Sequence, residues 1–203
     1  MAKKATGFDF DLVVIGSGAT GAVAAETVAA TGKRVAIIEA SAFGGFVPNF
    51  GDLPRRAMLG AAHTFANLRA AERLGLRTAT AGYSFPAMKT WENTVIRRSG
   101  VARTAEYLRS KNIMVYRGRA HFISRHELSI GQQRHISSDK FLIATGSELR
   151  IPNIQGLQNV DYLTIKNVFG LNRPPRSLAI IGAGKSGIEL AELFAILGSK
   201  VYL

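Results

Sequence analysis

The sequence contains no cysteine. That excludes a disulfide scaffold, a thiolate zinc or iron–sulfur site, and any cysteine nucleophile or thiol redox pair within the chain. Acidic residues are also scarce: 14 Asp and Glu stand against 26 Lys and Arg, giving a formal charge of +12 over 203 residues. Such a balance invites an anionic partner, nucleic acid included. The basic residues are scattered, however, as at Lys3-Lys4, Arg55-Arg56, Arg97-Arg98, Arg117 and Arg119, and no block of them forms a tail. The expectation is no nucleic-acid partner, with the charge serving an Arg-rich surface or an anionic ligand. No apolar run reaches the roughly 20 residues of a membrane helix, so no membrane span is expected. Nor does a signal-type apolar stretch follow Met1-Ala2-Lys3-Lys4 before Phe8, which predicts a cytoplasmic location. His63, His121, His126 and His135 lack zinc-ligand spacing, and no metal site is expected. Trp91, the single tryptophan, reads as a packing residue in a helix.

What is present is a globular composition, 47% hydrophobic, long enough for one domain and part of a second. Leu12–Ile15 is a β-branched apolar run, followed at once by a glycine turn, then a small-residue helix over Ala22–Ala30, then a strand over Arg34–Ile38 ending at Glu39. This is a complete βαβ unit. Phe43–Pro54 has no regular period and reads as loop. Helical spacing predicts a helix over Arg55–Leu74 and a second over Phe85–Ser110 with an interruption at Ser99-Gly100. Residues 113–116 read as a strand, short candidates at 119–123, 127–130 and 134–137 suggest a small antiparallel meander, and 140–144 is a further apolar, strand-like run. The opening pattern then returns: a strand over Ser177–Ile181, a glycine turn, a helix over Ile188–Leu197 and a strand from Lys200.

Gly16, Gly18 and Gly21 match G-x-G-x-x-G, with Ser17, Ala19 and Thr20 between them. The first glycine permits a sharp strand-to-helix turn, the second lets backbone approach a pyrophosphate, and the third lets the helix pack close to the strand. The helix N-terminus then offers unpaired N–H groups to phosphate. Glu39, next to Ala40, stands where a carboxylate accepts ribose hydroxyls. Gly182, Gly184 and Gly187 repeat the pattern. Gly184-Lys185-Ser186 also hints at a phosphate-binding P-loop, but that motif needs a glycine where Ala179 stands, and an ATPase is rejected.

Two such turns in one chain resemble the FAD-dependent pyridine nucleotide–disulfide oxidoreductases, the family of lipoamide dehydrogenase, glutathione reductase and mercuric reductase. Phe10–Gly18 is similar to the family's FAD fingerprint, and Ile143-Ala144-Thr145-Gly146-Ser147 with Pro152 and Gly156 is similar to its second flavin motif. Gly118–Phe122 resembles the segment whose backbone, at Ala120, meets adenine. Ile181–Gly184 with Glu189 resembles the entry to the NAD(P) domain. The resemblance implies an α/β fold: a Rossmann-like FAD-binding domain over 1–150, then the start of a second Rossmann-like, NAD(P)-binding domain over 151–203. Family members are longer and form homodimers through a C-terminal domain, so this chain is expected to be a truncated member without that domain.

The resemblance also locates a departure. The family's active loop runs G-G-T-C-x-N-x-G-C-x-P-S-K, and here it reads Gly44-Gly45-Phe46-Val47-Pro48-Asn49-Phe50-Gly51-Asp52-Leu53-Pro54-Arg55-Arg56. Gly44, Gly45 and Gly51 are kept as expected flavin contacts, while Val47 and Asp52 stand at the two cysteine positions. A dithiol relay needs sulfur. Arg56 falls on the family lysine, which pairs with the glutamate matching Glu189, so an Arg56–Glu189 pair beside the flavin is expected. Asp52 is either a proton-handling or potential-tuning carboxylate or a solvated loop residue. Two functions follow. One is an oxidoreductase passing electrons from NAD(P)H through FAD to a non-disulfide acceptor such as a quinone. The alternative is a catalytically inactive flavin-binding remnant or interaction module.

Overall fold

The strand–turn–helix–strand opening forms where the apolar runs and the glycine turn predict it. In the computed structural model, residues 7–77, 82–101, 103–132 and 134–203 are described; Met1–Lys4, read above for a signal sequence, lie outside them. In chain order the elements are β1 (Phe10–Ile15), α1 (Ala19–Ala29), β2 (Val35–Glu39), α2 (Phe46–Asn49), α3 (Asp52–Ala70), α4 (Phe85–Arg98), α5 (Ala105–Ser110), β3 (Ile113–Arg117), β4 (Ala120–Ser124), β5 (Glu127–Ile130), β6 (Arg134–Ile143), β7 (Ser177–Ala179), α6 (Lys185–Ile196) and β8 (Lys200–Tyr202), with short 3-10 turns between some of them. The chain divides into two units, Met1–Asn49 with Gly100–Asn153 and Phe50–Ser99 with Ile154–Leu203. The second unit thus takes in residues 50–99, which lie inside the stretch expected to form the first domain.

The first unit is a six-stranded sheet in the order β3-β2-β1-β6-β5-β4. β3, β2, β1 and β6 run parallel, while β6, β5 and β4 pair antiparallel. This is a Rossmann-like α/β arrangement carrying the expected meander. Every residue of β2 is buried, as a central parallel strand covered on both faces requires. Alternation sorts the two faces. Val14, Val35, Ile37 and Ile113 pack with Ala22 and Ala25 of α1 and Leu108 of α5. Val13, Ala36 and Ile38 pack with Leu128, Ile130 and Ile136 of the meander. Burying one such Val or Ile side chain contributes about 1.5–3 kcal/mol, so the two layers hold the glycine turn between well-anchored strands.

The second unit packs α3, α4 and α6 around Met58, Ala62, Phe85, Met88, Leu193 and Leu197. β7 and β8 form a separate parallel pair, with Ser177 opposite Lys200. Tyr83 donates its hydroxyl to the Leu197 carbonyl at 2.6 Å, closing the end of α6.

Several boundaries differ from expectation. Helices α1 and α6 begin immediately after their turns, at Ala19 and Lys185 rather than Ala22 and Ile188, because Gly18 and Gly184 are themselves the N-caps. The loop expected over 43–54 contains α2 and the start of α3. The interruption expected at Ser99-Gly100 is real: Gly100 adopts φ +65, and α5 restarts under a Thr104 cap. The strands expected at 134–137 and 140–144 are one strand, β6.

Candidate functional site

β1, β2 and β6 are parallel, so the residues that follow each lie at one end of the sheet: Gly16 after β1, Ala40 after β2, and Ala144 to Ser147 after β6. In open α/β sheets ligands bind at that carboxyl end. Gly16 turns the chain with φ +104, and its N–H donates to the Ile38 carbonyl at 2.8 Å. A Cβ on Gly16 would collide with the Ala144 carbonyl oxygen, and one on Gly21 would collide with the Gly16 carbonyl oxygen. A Cβ on Gly45 would lie 2.6 Å from Gly18 Cα. The glycines are therefore required by backbone packed on backbone.

The helix that leaves this turn has an open N-terminus. α1 is capped by Gly18, with no side-chain cap and no acid in its first turn. α4 and α5, by contrast, are capped by the side chains of Ser84 and Thr104. Uncapped N–H groups and the helix dipole favour phosphate. Glu39 is almost fully buried beside them. Its Oε2 accepts from the Ser17 N–H at 2.9 Å and the Ser17 hydroxyl at 2.7 Å, and its Oε1 accepts from the Ser41 N–H at 2.8 Å. Each carboxylate oxygen keeps acceptor capacity, so the group is oriented without being exhausted. Ser17 Oγ also accepts from the Gly44 N–H at 3.2 Å. Asn49 donates to the carbonyls of Phe43 and Gly45, at 2.9 and 2.7 Å, and shapes that loop. The Gly118 N–H donates to the Glu39 carbonyl at 2.9 Å, which brings the start of β4, at Ala120, close by. Gly16–Gly21, Glu39, Gly44, Gly45 and Ala144 thus lie together at the carboxyl end of the sheet, with uncapped N–H donors and an oriented carboxylate that are compatible with a dinucleotide.

In the second unit the turn is built alike. Gly182 has φ +114, a Cβ on Gly187 would collide with the Gly182 carbonyl oxygen, and α6 is capped by Gly184 without a side-chain cap. Asp52 opens α3, just after Gly51, and meets this turn. Asp52 Oδ1 accepts from Arg55 Nη2 at 2.6 Å, and its Oδ2 accepts from Lys185 Nζ at 3.1 Å. The Lys185 hydrogen bond, and then that of Arg55, hold the Asp52 carboxyl below the usual aspartate range. Asp52 is therefore an ion-paired carboxylate at the start of α3, with its side chain 45% exposed.

The expected Arg56–Glu189 pair is not formed. Glu189 pairs with Arg55, whose Nε donates to it and whose Nη1 donates to Ser186 Oγ at 3.0 Å. Arg55 is 1% exposed. The reason is helical phase: Arg55, Met58 and Ala62 share the buried face of α3, while Arg56 points outward into a groove with Ala57, Gly60, Thr64 and Trp91. Trp91 is half exposed there, not packed as expected. Val47, at the first cysteine position, lies in α2. Among the described residues no group of three His, Asp or Glu is placed to hold a metal, and no helix is long and apolar enough to cross a membrane.

The profile of the pyridine nucleotide–disulphide oxidoreductase family matches residues 10–203. Mercuric reductase of Streptomyces lividans is 33% identical over 199 residues, covering 96% of this chain and 42% of that protein. Dihydrolipoyl dehydrogenase of Chlamydia muridarum is 38% identical over 198 residues, covering 95% and 42%. Among solved structures, the HOCl-induced flavoprotein disulfide reductase RclA from Escherichia coli is similar with a TM-score of 0.78 at 29% identity, over 95% of this chain and 41% of that one. The chain spans about two fifths of the length of these relatives.

Proposed function

This chain belongs to the pyridine nucleotide–disulphide oxidoreductase family, and from that premise we propose that it binds FAD at the first glycine turn and takes electrons from NAD(P)H for delivery to a non-disulfide acceptor such as a quinone. The observation that carries the reading is the first turn itself, where Gly16 and Gly21 leave no room for a side chain and the buried Glu39 is held ready by Ser17 and Ser41. In this reading residues 1–150 carry the flavin site and 151–203 the first strand, turn and helix of a nicotinamide site. Bound FAD supplies hydride acceptance and electron storage. The chain's own part is positional: the first turn of α1 holds the pyrophosphate, Glu39 accepts the ribose hydroxyls, and Gly182, Gly184 and Gly187 leave a second uncapped helix for a nicotinamide dinucleotide. With Val47 and Asp52 at the cysteine positions, no thiol of this chain stands between flavin and acceptor.

The test is a titration of FAD into the purified chain, followed by anaerobic NADH or NADPH and then by acceptor. We expect FAD to bind, either nicotinamide to bleach it, and menadione to restore the oxidised spectrum while 5,5′-dithiobis(2-nitrobenzoate) does not. Failure to bind FAD overturns the reading. FAD that binds but is bleached by neither nicotinamide makes the chain a flavin-binding module.

A further inference from the structure

The first turn of α6 carries the side chains Lys185 and Ser186, and both are engaged by the first turn of α3. Ser186 and Glu189 are held by Arg55, whose side chain is 2% exposed. Lys185 is held differently. Its ammonium is bonded to Asp52 Oδ2 at 3.1 Å, and the two side chains are 56% and 45% exposed. Asp52 also accepts from Arg55 Nη2 at 2.6 Å, so the buried guanidinium fixes Ser186, Glu189 and Asp52, and Lys185 is the loose member, in water. An exposed pair of this kind shifts an equilibrium by about fivefold at most, and a lysine head on a four-carbon stem re-aims easily. Lys185 is also the first helical residue after the Gly184 cap of an otherwise uncapped helix. It therefore stands in the turn whose N–H groups would receive a phosphate.

We propose that Lys185 is a phosphate clamp for the second glycine turn, parked on Asp52 until the pyrophosphate of a dinucleotide takes its place. The inference rests on the reading of that turn as a dinucleotide site. A charge-assisted bond from the ammonium to phosphate replaces the bond to Asp52, so Asp52 sets a constant discount on affinity and the lysine supplies the gain. Residue 52 thereby acts on the nicotinamide side of the protein, in addition to standing at a cysteine position.

A calorimetric double-mutant cycle tests this, with ADP-ribose titrated into the FAD-saturated full chain and into its Asp52→Asn, Lys185→Met and doubly substituted forms. The amide introduced by Asp52→Asn keeps an oxygen for Arg55, and melting curves confirm that each form is folded. Asp52→Asn is expected to tighten binding about threefold to fivefold, and Lys185→Met to weaken it roughly tenfold with a smaller salt dependence. The gain from Asp52→Asn is expected to vanish in the Lys185→Met background. An equal gain in both backgrounds overturns the clamp, because Asp52 would then simply repel phosphate. So does a Lys185→Met form that binds like the unsubstituted chain, although the second-turn reading would survive. No ADP-ribose binding to any folded form overturns that reading and the clamp with it.

Discussion

The two glycine turns begin from nearly the same sequence and are supported by different physics. In both, the third glycine lies against the carbonyl of the first, at Gly21 on Gly16 and at Gly187 on Gly182. In both, a glycine caps the helix and no side chain does. The surroundings diverge. Gly16 is pressed on Ala144 at the end of β6, and Gly18 faces Gly45, whereas a Cβ on Gly182 or Gly184 would meet nothing within 4 Å. The first turn is held by neutral backbone and by a buried carboxylate with three donors. The second is tied to α3 by charge, through Arg55 to Glu189 and Lys185 to Asp52. One motif is thus compatible with a packed and with an ionic support, and the support decides which substitutions it tolerates.

The largest effect is expected where the ionic support is buried. Arg55→Met leaves Glu189 without its guanidinium and is expected to cost about 3–5 kcal/mol of folding stability, as for other broken buried pairs. Arg56→Met, one residue along on an outward face, is expected to stay within about 0.5 kcal/mol. Urea unfolding of both forms measures the difference, and equal costs would break the contrast between the two arginines. Next in size is the packed support. Gly16→Ala meets both a positive φ and the Ala144 carbonyl, and is expected to cost about 3 kcal/mol. Gly182→Ala meets the positive φ alone and is expected to cost about 1 kcal/mol. If thermal melts place the two alike, the first turn is less tightly backed than its geometry implies. Glu39→Gln keeps the shape of the group but removes the charge proposed to receive ribose hydroxyls. FAD affinity is expected to fall about tenfold, measured by flavin fluorescence.

The contrast also separates what the sequence made legible from what it did not. The first turn is local: Gly16, Gly18, Gly21 and Glu39 are neighbours in one βαβ unit, and the apolar runs and small-residue helix around them suffice to place them. The meander was legible for the same reason, apart from the fusion of two strands into β6. Arg55 was hidden behind the family motif, which points to Arg56, although the spacing Arg55, Met58, Ala62 already put it on the apolar face of its helix. Lys185 carried a signal in its likeness to a P-loop, but its partner did not. Asp52 lies 133 positions away, and only the packing of α3 on α6 brings the two together. The grouping of residues 50–99 with 154–203 was illegible for the same reason, since helix-to-helix packing leaves no local period.

The smallest effect is the acid response, and it sharpens the contrast because each unit holds an ion-paired aspartate at the start of an element, Asp11 in β1 and Asp52 in α3. Asp11, in β1, is held below the ordinary carboxyl range first by the hydrogen bond from the Arg34 side chain and then by the Arg34 N–H. Asp52 is held down first by Lys185. A carboxyl that binds its proton less readily when folded adds stability above its unfolded value, about pH 3.9. That contribution disappears as pH falls through the lower folded value. Both therefore act only on the acid limb and leave stability near neutral pH flat. They differ in screening. Asp11 and Arg34 are 16% and 20% exposed at their side chains, while Asp52 and Lys185 are 45% and 56% exposed. Salt at about 1 M shortens the screening length to roughly 3 Å and acts mainly on exposed charges. Asp11→Asn is thus expected to flatten the acid limb at low and at high salt alike. Asp52→Asn is expected to flatten it more at low salt than at high salt, where only the bond from the buried Arg55 persists, and an Asp52 effect undiminished by high salt would show that Lys185 is as sheltered as the pair in the sheet.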